Sequence, residues 1–210
     1  MYLYGFARGL VKIAFGMIYR IEVQGLENVP ATGGAIVCGN HFNARDPLIV
    51  GITMKRPISF MAKQELFRNK LLAWVITGMG VFPVKRGQPD RAALKRSIDV
   101  LQSGTCFGIF PEGTRNKTGK LGKAEPGTAY LALKSGAPVI PVGISSAYKL
   151  FGPIIVKYGK PVKLDAFRDA KLTSEALEAV SDAIMAGIAA QLEPPATYVA
   201  ASRQQDEEPK

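Results

Sequence analysis

The chain contains a single histidine, His41, in Asn40-His41-Phe42-Asn43-Ala44-Arg45-Asp46-Pro47, and an acid follows it five positions on. Imidazole is the side chain whose unperturbed titration falls near neutral pH, so base chemistry there falls first to His41. A second segment, Phe110-Pro111-Glu112-Gly113-Thr114-Arg115, offers a glycine turn that ends in a guanidinium. Residues five apart on an ideal helix sit roughly 140° apart and cannot share a face. His41 and Asp46 can therefore meet only if the chain turns between them. Asn43 suits that turn, because its short polar side chain bonds to local backbone and tolerates left-handed geometry. Asp46-Pro47 reads as the N-cap and first position of a helix, where proline loses no needed donor. The spacing thus places His41 on a loop after a strand over residues 35–39, with Asp46 at the mouth of the next helix. By spacing alone Asp46 is equally a plain helix cap and His41 an ordinary loop residue.

Apolar strands and helices alternate around these segments. Strands are expected over residues 21–27, 35–39, 58–62, 81–84, 106–110, 139–145 and 154–162. Helices are expected over 47–55, 64–77, 91–102, 128–134 and 173–192, with Leu66, Phe67, Leu71, Trp74 and Val75 as the apolar side of the second. That alternation predicts one α/β domain over residues 21–193, a mostly parallel or mixed sheet covered by helices on both faces. A length of 210 residues suffices for one full core. The tail 194–210, with Gln204-Gln205-Asp206-Glu207-Glu208, is expected to be disordered.

The net charge of +10 directs attention to anionic partners: nucleic acid, lipid headgroups or acidic small substrates. No helix-turn-helix, RNA-binding signature or zinc finger is present, so nucleic acid is not an expected partner. Cys38 and Cys106 lie in apolar runs and read as buried free thiols. One histidine and two scattered cysteines do not make a zinc site, and no metal or cofactor is expected. Residues 1–20 hold Arg8, Lys12 and Arg20, no acid, and a stripe of Leu3, Phe6, Leu10, Ile13 and Met17 at helical spacing. Arg8 and Lys12 interrupt any membrane span and share one helical face. The pattern fits a helix lying in a membrane interface. The other reading is an amphipathic helix packed on the protein's own core.

Four segments in order carry a family resemblance. They are the His41–Asp46 segment, Gly80-Val81-Phe82-Pro83-Val84-Lys85-Arg86, the 110–115 segment and Val139-Ile140-Pro141-Val142. Together they resemble the four blocks of the glycerophospholipid acyltransferases, the lysophosphatidic acid acyltransferase family, over roughly residues 25–161. The resemblance implies an enzyme that moves a fatty acyl group from acyl-CoA or acyl-carrier protein to 1-acyl-sn-glycerol-3-phosphate, giving phosphatidic acid. It implies His41 as base, oriented by Asp46, with the acceptor hydroxyl attacking the thioester directly. Lys63, Arg86 and Arg115 are implied to bind the acceptor and its phosphate. Glu112 either meets the glycerol hydroxyl or holds the turn, and the Gly113 and Thr114 amides suit an oxyanion. The resemblance also implies a monotopic or peripheral protein on an anionic membrane, at its cytoplasmic face. Glu125 stands where many family members carry lysine, which leaves open the same chemistry on glycerol-3-phosphate or another lysolipid. Two further readings stay open: a thiol acyl hydrolase using Cys38 or Cys106 with His41, and a basic membrane-surface binding protein.

Overall fold

The computed structural model describes residues 2–85, 87, 90–116, 119–167 and 171–194. Within them, seven strands form one sheet in the order β1-β7-β6-β2-β5-β3-β4. These are β1 (Arg20–Gln24), β2 (Ala35–Gly39), β3 (Ile58–Lys63), β4 (Phe82–Val84), β5 (Cys106–Ile109), β6 (Val139–Ser145) and β7 (Pro153–Tyr158). Every pairing is parallel except that of β6 with β7, so the sheet is mixed. The exception arises because β6 and β7 are joined by a short loop, which can only connect antiparallel neighbours. The helices are α1 (Tyr2–Ile18), α2 (Asp46–Thr53), α3 (Lys70–Gly78), α4 (Arg91–Gln102), α5 (Pro126–Ser135) and α6 (Ser174–Ala189).

Crossover handedness distributes those helices. The steps β2–α2–β3 and β3–α3–β4 move toward one sheet edge, whereas β4–α4–β5 and β5–α5–β6 move back. Right-handed crossovers therefore set α2 and α3 on one face and α4 and α5 on the other. The core agrees. Ala35 and Val37 of β2 pack with Ile49, Val50 and Ile52 of α2, and the alternate residues Ile36 and Cys38 pack with Ala93, Leu131 and Ile184 of α4, α5 and α6. Period-two alternation along a fully buried strand thus feeds two separate cores. Strands β2 to β6 are mutually parallel and run opposite to β1 and β7, so the residues after β2, β3, β4 and β5 gather on one sheet edge.

Several boundaries differ from the sequence expectations for local reasons. The helix expected over 64–77 is two pieces, a 3-10 turn at Gln64–Phe67 and then α3. Asn69 causes the break by accepting from Leu72 N–H at 3.0 Å and starting a new helix. Leu66, Leu71 and Trp74 do not face the core but lie exposed. The strand expected over 21–27 stops at Gln24, because Gly25 turns left-handed with φ 69° into a 3-10 turn. The strand expected over 154–162 runs from Pro153 to Tyr158.

Helix α1 has one side packed on the protein's own core and one side exposed. Its inner side packs Val11 and Phe15 on the α2 core cluster, and Tyr4 Oη accepts from Ile58 N–H at 3.2 Å. Arg8, expected on an outward cationic face, instead turns inward. Its guanidinium donates to the carbonyls of Ile52 and Met54 at the C-terminal end of α2, where a cation meets the negative end of the helix dipole. Phe6, Leu10, Ile13 and Met17 remain exposed along the outer side, and Lys12 with them. The side chain of Leu3 and residues 195–210 of the expected tail lie outside the described residues. Among the described residues, no helix is long and apolar enough to cross a membrane.

Candidate active site

Asn40 ends β2 by pairing its side-chain amide with Ile144 of β6: Nδ2 donates to the carbonyl at 3.0 Å and Oδ1 accepts from the N–H at 2.8 Å. That double clamp fixes where the chain leaves the sheet. His41 follows immediately, and the turn the spacing required brings its Nδ1 to 3.1 Å from Asp46 Oδ2. The same oxygen accepts the N–H groups of Phe42 at 2.8 Å and Asn43 at 2.7 Å. Asp46 therefore does not cap the helix ahead of it. It sits in the first turn of α2, after Arg45, and its carboxylate gathers the turn behind it. Asp46 is fully buried and His41 is 7% exposed. A buried carboxylate is tolerated only with its lone pairs satisfied, and Asp46 has donors on both oxygens.

The second oxygen is held from elsewhere in the chain. Tyr148, in the β6–β7 loop, donates its hydroxyl to Asp46 Oδ1 at 2.5 Å. Burial first, and then the Asp46 charge, push the Tyr148 phenol well above its ordinary range, so it stays protonated and donating. Its backbone is left-handed, with φ 49°, and its ring meets Tyr19 edge-on with Arg45 above it. Sequence reasoning did not find Tyr148, since nothing in its local pattern marks it.

Ring stacking orients the imidazole. Phe110, at the end of β5, stacks on His41 with centroids 4.3 Å apart, and Phe60 of β3 lies 6.2 Å from Phe110 at an interplanar angle of 11°. Gly108 makes room for that column: a Cβ there would stand 2.1 Å from the Phe60 ring.

The 110–115 segment is tied to the histidine turn by backbone and by Glu112. The carbonyl of His41 accepts from Asn116 N–H at 2.8 Å. Buried Glu112 accepts His41 N–H on Oε1 at 3.1 Å and Gly122 N–H on Oε2 at 3.0 Å, so its carboxylate staples two loops. Gly113, at φ 66°, spends its N–H on the Phe110 carbonyl at 3.0 Å. The Thr114 N–H makes no hydrogen bond among the described residues. Arg115 is exposed beside this turn, and Lys63 at the end of β3 is exposed and paired with Glu65 at 3.3 Å. Arg86 lies outside the described residues. Its neighbour Lys85, which the sequence reading passed over within the same segment, lines the cavity next described.

His41, Glu112, Gly113 and Thr114 open onto a cavity of about 870 Å³ that runs under the α4–α5 side of the sheet. Met61, Val84, Ile109, Leu94 and Leu177 make its walls largely apolar, while Lys85, Asp90 and Glu125 add charged groups to the lining. Volumes of this order are typical of small-molecule sites. Cys38 lies wholly in the core with its thiol pushed up by burial, and Cys106 is buried and raised for the same cause. Neither offers a thiolate to the imidazole. Among the described residues, no three His, Cys, Asp or Glu side chains come together to hold a metal ion.

Comparison with known proteins bears on this arrangement. A family model described as Acyltransferase matches residues 20–145. The chain is 36% identical over 147 residues to a 1-acyl-sn-glycerol-3-phosphate acyltransferase of Borreliella burgdorferi, covering 69% of this chain and 59% of that one. It is 31% identical over 189 residues to the Bacillus subtilis protein of the same name, covering 87% and 93%. A chloroplastic relative from Arabidopsis thaliana is 33% identical, and there the chain spans only 40% of the relative's length. Among solved structures, the crystal structure of the 1-acyl-sn-glycerophosphate (LPA) acyltransferase of Thermotoga maritima superposes with a TM-score of 0.72 at 26% identity, covering 93% of this chain and 81% of that one.

Proposed function

The chain belongs to the acyltransferase family, and we propose that it transfers a fatty acyl group from acyl-CoA or acyl-carrier protein to the sn-2 hydroxyl of 1-acyl-sn-glycerol-3-phosphate, giving phosphatidic acid. The observation that carries this reading is the buried His41–Asp46 pair, whose imidazole lines a largely apolar cavity.

Asp46 holds Nδ1 of the imidazole, which leaves Nε2 to take the proton of the acceptor hydroxyl. The freed alkoxide oxygen attacks the thioester carbonyl. The new C–O bond makes a tetrahedral oxyanion, for which the Thr114 N–H is the donor in this reading. Collapse breaks the C–S bond, and the imidazolium returns its proton to the departing thiolate. Asp46 stabilises the imidazolium in between, as in a serine triad, but no protein nucleophile takes part. Glu112 works by holding the two loops in register, since both its oxygens are occupied by backbone donors. Lys63, Arg86 and Arg115 supply the positive field for the acceptor phosphate, Arg115 with a fork that suits it. The apolar cavity accommodates an acyl chain. The outer stripe of α1 rests on the membrane face where acceptor and product reside, at the cytoplasmic side.

One observation favours a second acceptor. Glu125 packs against Gly113, where a Cβ would meet its Cγ at 3.0 Å, and adds a carboxylate to the cavity lining. A carboxylate there disfavours the most highly charged headgroup, so the same chemistry on another lysolipid is the alternative. The experiment is thiol release from acyl-CoA with and without lysophosphatidic acid, glycerol-3-phosphate or neutral lysolipids, with products identified by mass spectrometry. Release that depends on lysophosphatidic acid and yields phosphatidic acid supports the main reading. Release without any acceptor contradicts it.

A further inference from the structure

The 3-10 turn at Gln64–Phe67 and α3 leave a large apolar face without a partner among the described residues. Leu71 is 72% exposed and Trp74 63%, and Leu66 and Leu72 are exposed beside them. No residue of α3 is fully buried. A helix this short is marginal on propensity alone and takes most of its stability from packing. Exposed cations lie along the same stretch of chain. Between residues 63 and 85 the chain carries Lys63, Arg68, Lys70 and Lys85 on its exposed surface, and its only acid, Glu65, is already paired with Lys63. An apolar face with a tryptophan, on a stretch of chain with these cations, is complementary to the interface of an anionic bilayer.

Placement adds a second observation. The crossover that carries α3 sets it on the sheet face that also bears α1 and α2. The C-terminal end of α3 reaches the start of β3, where a Cβ on Gly80 would meet the Ser59 hydroxyl at 3.0 Å. The adjacent residue, Ile58, is hydrogen-bonded to Tyr4 of α1. By that crossover, the exposed stripe of α1 and the exposed face of α3 belong to the same face of the sheet. The N-terminal end of α3 follows β3 at the sheet edge that holds His41.

We propose that the Gln64–Gly78 segment is a second membrane-docking element, which inserts Trp74 and Leu71 into an anionic bilayer beside α1 and so holds the catalytic edge of the sheet against the lipid. The proposal deepens the acyltransferase reading and rests on it for the reason the edge must meet lipid.

Trp74 is the only tryptophan in the chain, so its fluorescence reports this segment alone. The full-length protein is titrated with vesicles of phosphatidylglycerol mixed with phosphatidylcholine, and with phosphatidylcholine alone. Lipids brominated along the acyl chain serve as quenchers. The expected result is a blue-shifted emission, quenching by brominated lipid and loss of acrylamide access, all stronger with the anionic vesicles. Leu71→Ser should weaken vesicle affinity by about tenfold while far-UV dichroism and transfer in detergent stay at wild-type levels. Protein that co-sediments with vesicles while Trp74 remains open to acrylamide overturns the proposal, because α1 then docks alone. A blue shift that follows protein concentration without lipid also overturns it, because the face then belongs to a second copy. The same preparation is assayed on detergent-dispersed lysophosphatidic acid, which separates the two claims. Transfer in detergent with no Trp74 insertion sinks the docking element and keeps the acyltransferase reading. Insertion without transfer supports docking and removes the acyltransferase reading.

Discussion

Asp46 Oδ1 accepts the hydroxyl of Tyr148 at 2.5 Å across 102 positions of sequence, while Oδ2 takes three donors from the His41 turn. The carboxylate is thereby held from two loops at once, and the imidazole is held through it. Tyr148→Phe keeps the ring and removes the donor. It should lower kcat by roughly tenfold, with the KM of both substrates nearly unchanged, since one hydrogen bond to a charged group contributes about 1.5–3 kcal/mol. Steady-state kinetics over a range of pH checks this. Equal losses in KM and kcat would show that Tyr148 merely supports the fold.

The column Phe60–Phe110–His41 depends on the missing side chain at Gly108. Gly108→Ala should displace Phe60, destabilise the protein by about 1–3 kcal/mol and reduce transfer. Adding Phe60→Leu should recover much of the stability, because the ring no longer clashes, yet leave transfer low because the stack is gone. Thermal unfolding and initial rates on the single and double variants decide it. Recovery of both together would show that the column does not orient His41.

Both cysteines are buried with thiols pushed above the ordinary range, first by loss of water. Iodoacetamide at neutral pH should therefore leave activity intact, and both thiols should label only after unfolding. The linkage has a definite sign. Unfolded thiols ionise near pH 8.5 while the folded ones keep their protons, so the unfolded state binds fewer protons and stability falls as pH rises past that point. Denaturant midpoints at pH 7 and pH 9.5 should show the loss. Inactivation of the folded protein by the reagent would revive the thiol hydrolase.

Glu125 adds a carboxylate to the cavity lining beside Gly113, in the turn that carries Thr114 and Arg115. Glu125→Lys should lower the KM for lysophosphatidic acid several-fold at low salt, and less at high salt, where an exposed charge is screened. The KM for a neutral lysolipid should not fall. A parallel change for both acceptors would mean that residue 125 does not face the headgroup.

Much of this site was legible in the residues themselves. The turn between His41 and Asp46 followed from helix geometry, and the sheet edge followed from alternating strands and helices. What escaped was contact made at a distance. Tyr148 reaches Asp46 only because β6 and β7 form a hairpin over the site, and no local pattern announces that. Arg8 looked like a surface cation, since its wheel position cannot tell solvent from the end of a neighbouring helix. The break at Asn69 was missed because the apolar period on either side of it continues unbroken. The same period picks out the apolar side of α3 but not its exposure, because periodicity marks which residues share a side, not what that side meets.

The base assignment is tested most directly by the initial rate of phosphatidic acid formation from acyl-CoA and lysophosphatidic acid in His41→Ala, with folding verified by thermal unfolding. His41 lines the cavity with its ring held by Asp46, so its loss should reduce the rate by about 10²–10⁴-fold while the protein stays folded. A folded His41→Ala protein that forms phosphatidic acid within a few-fold of the wild-type rate would contradict the account.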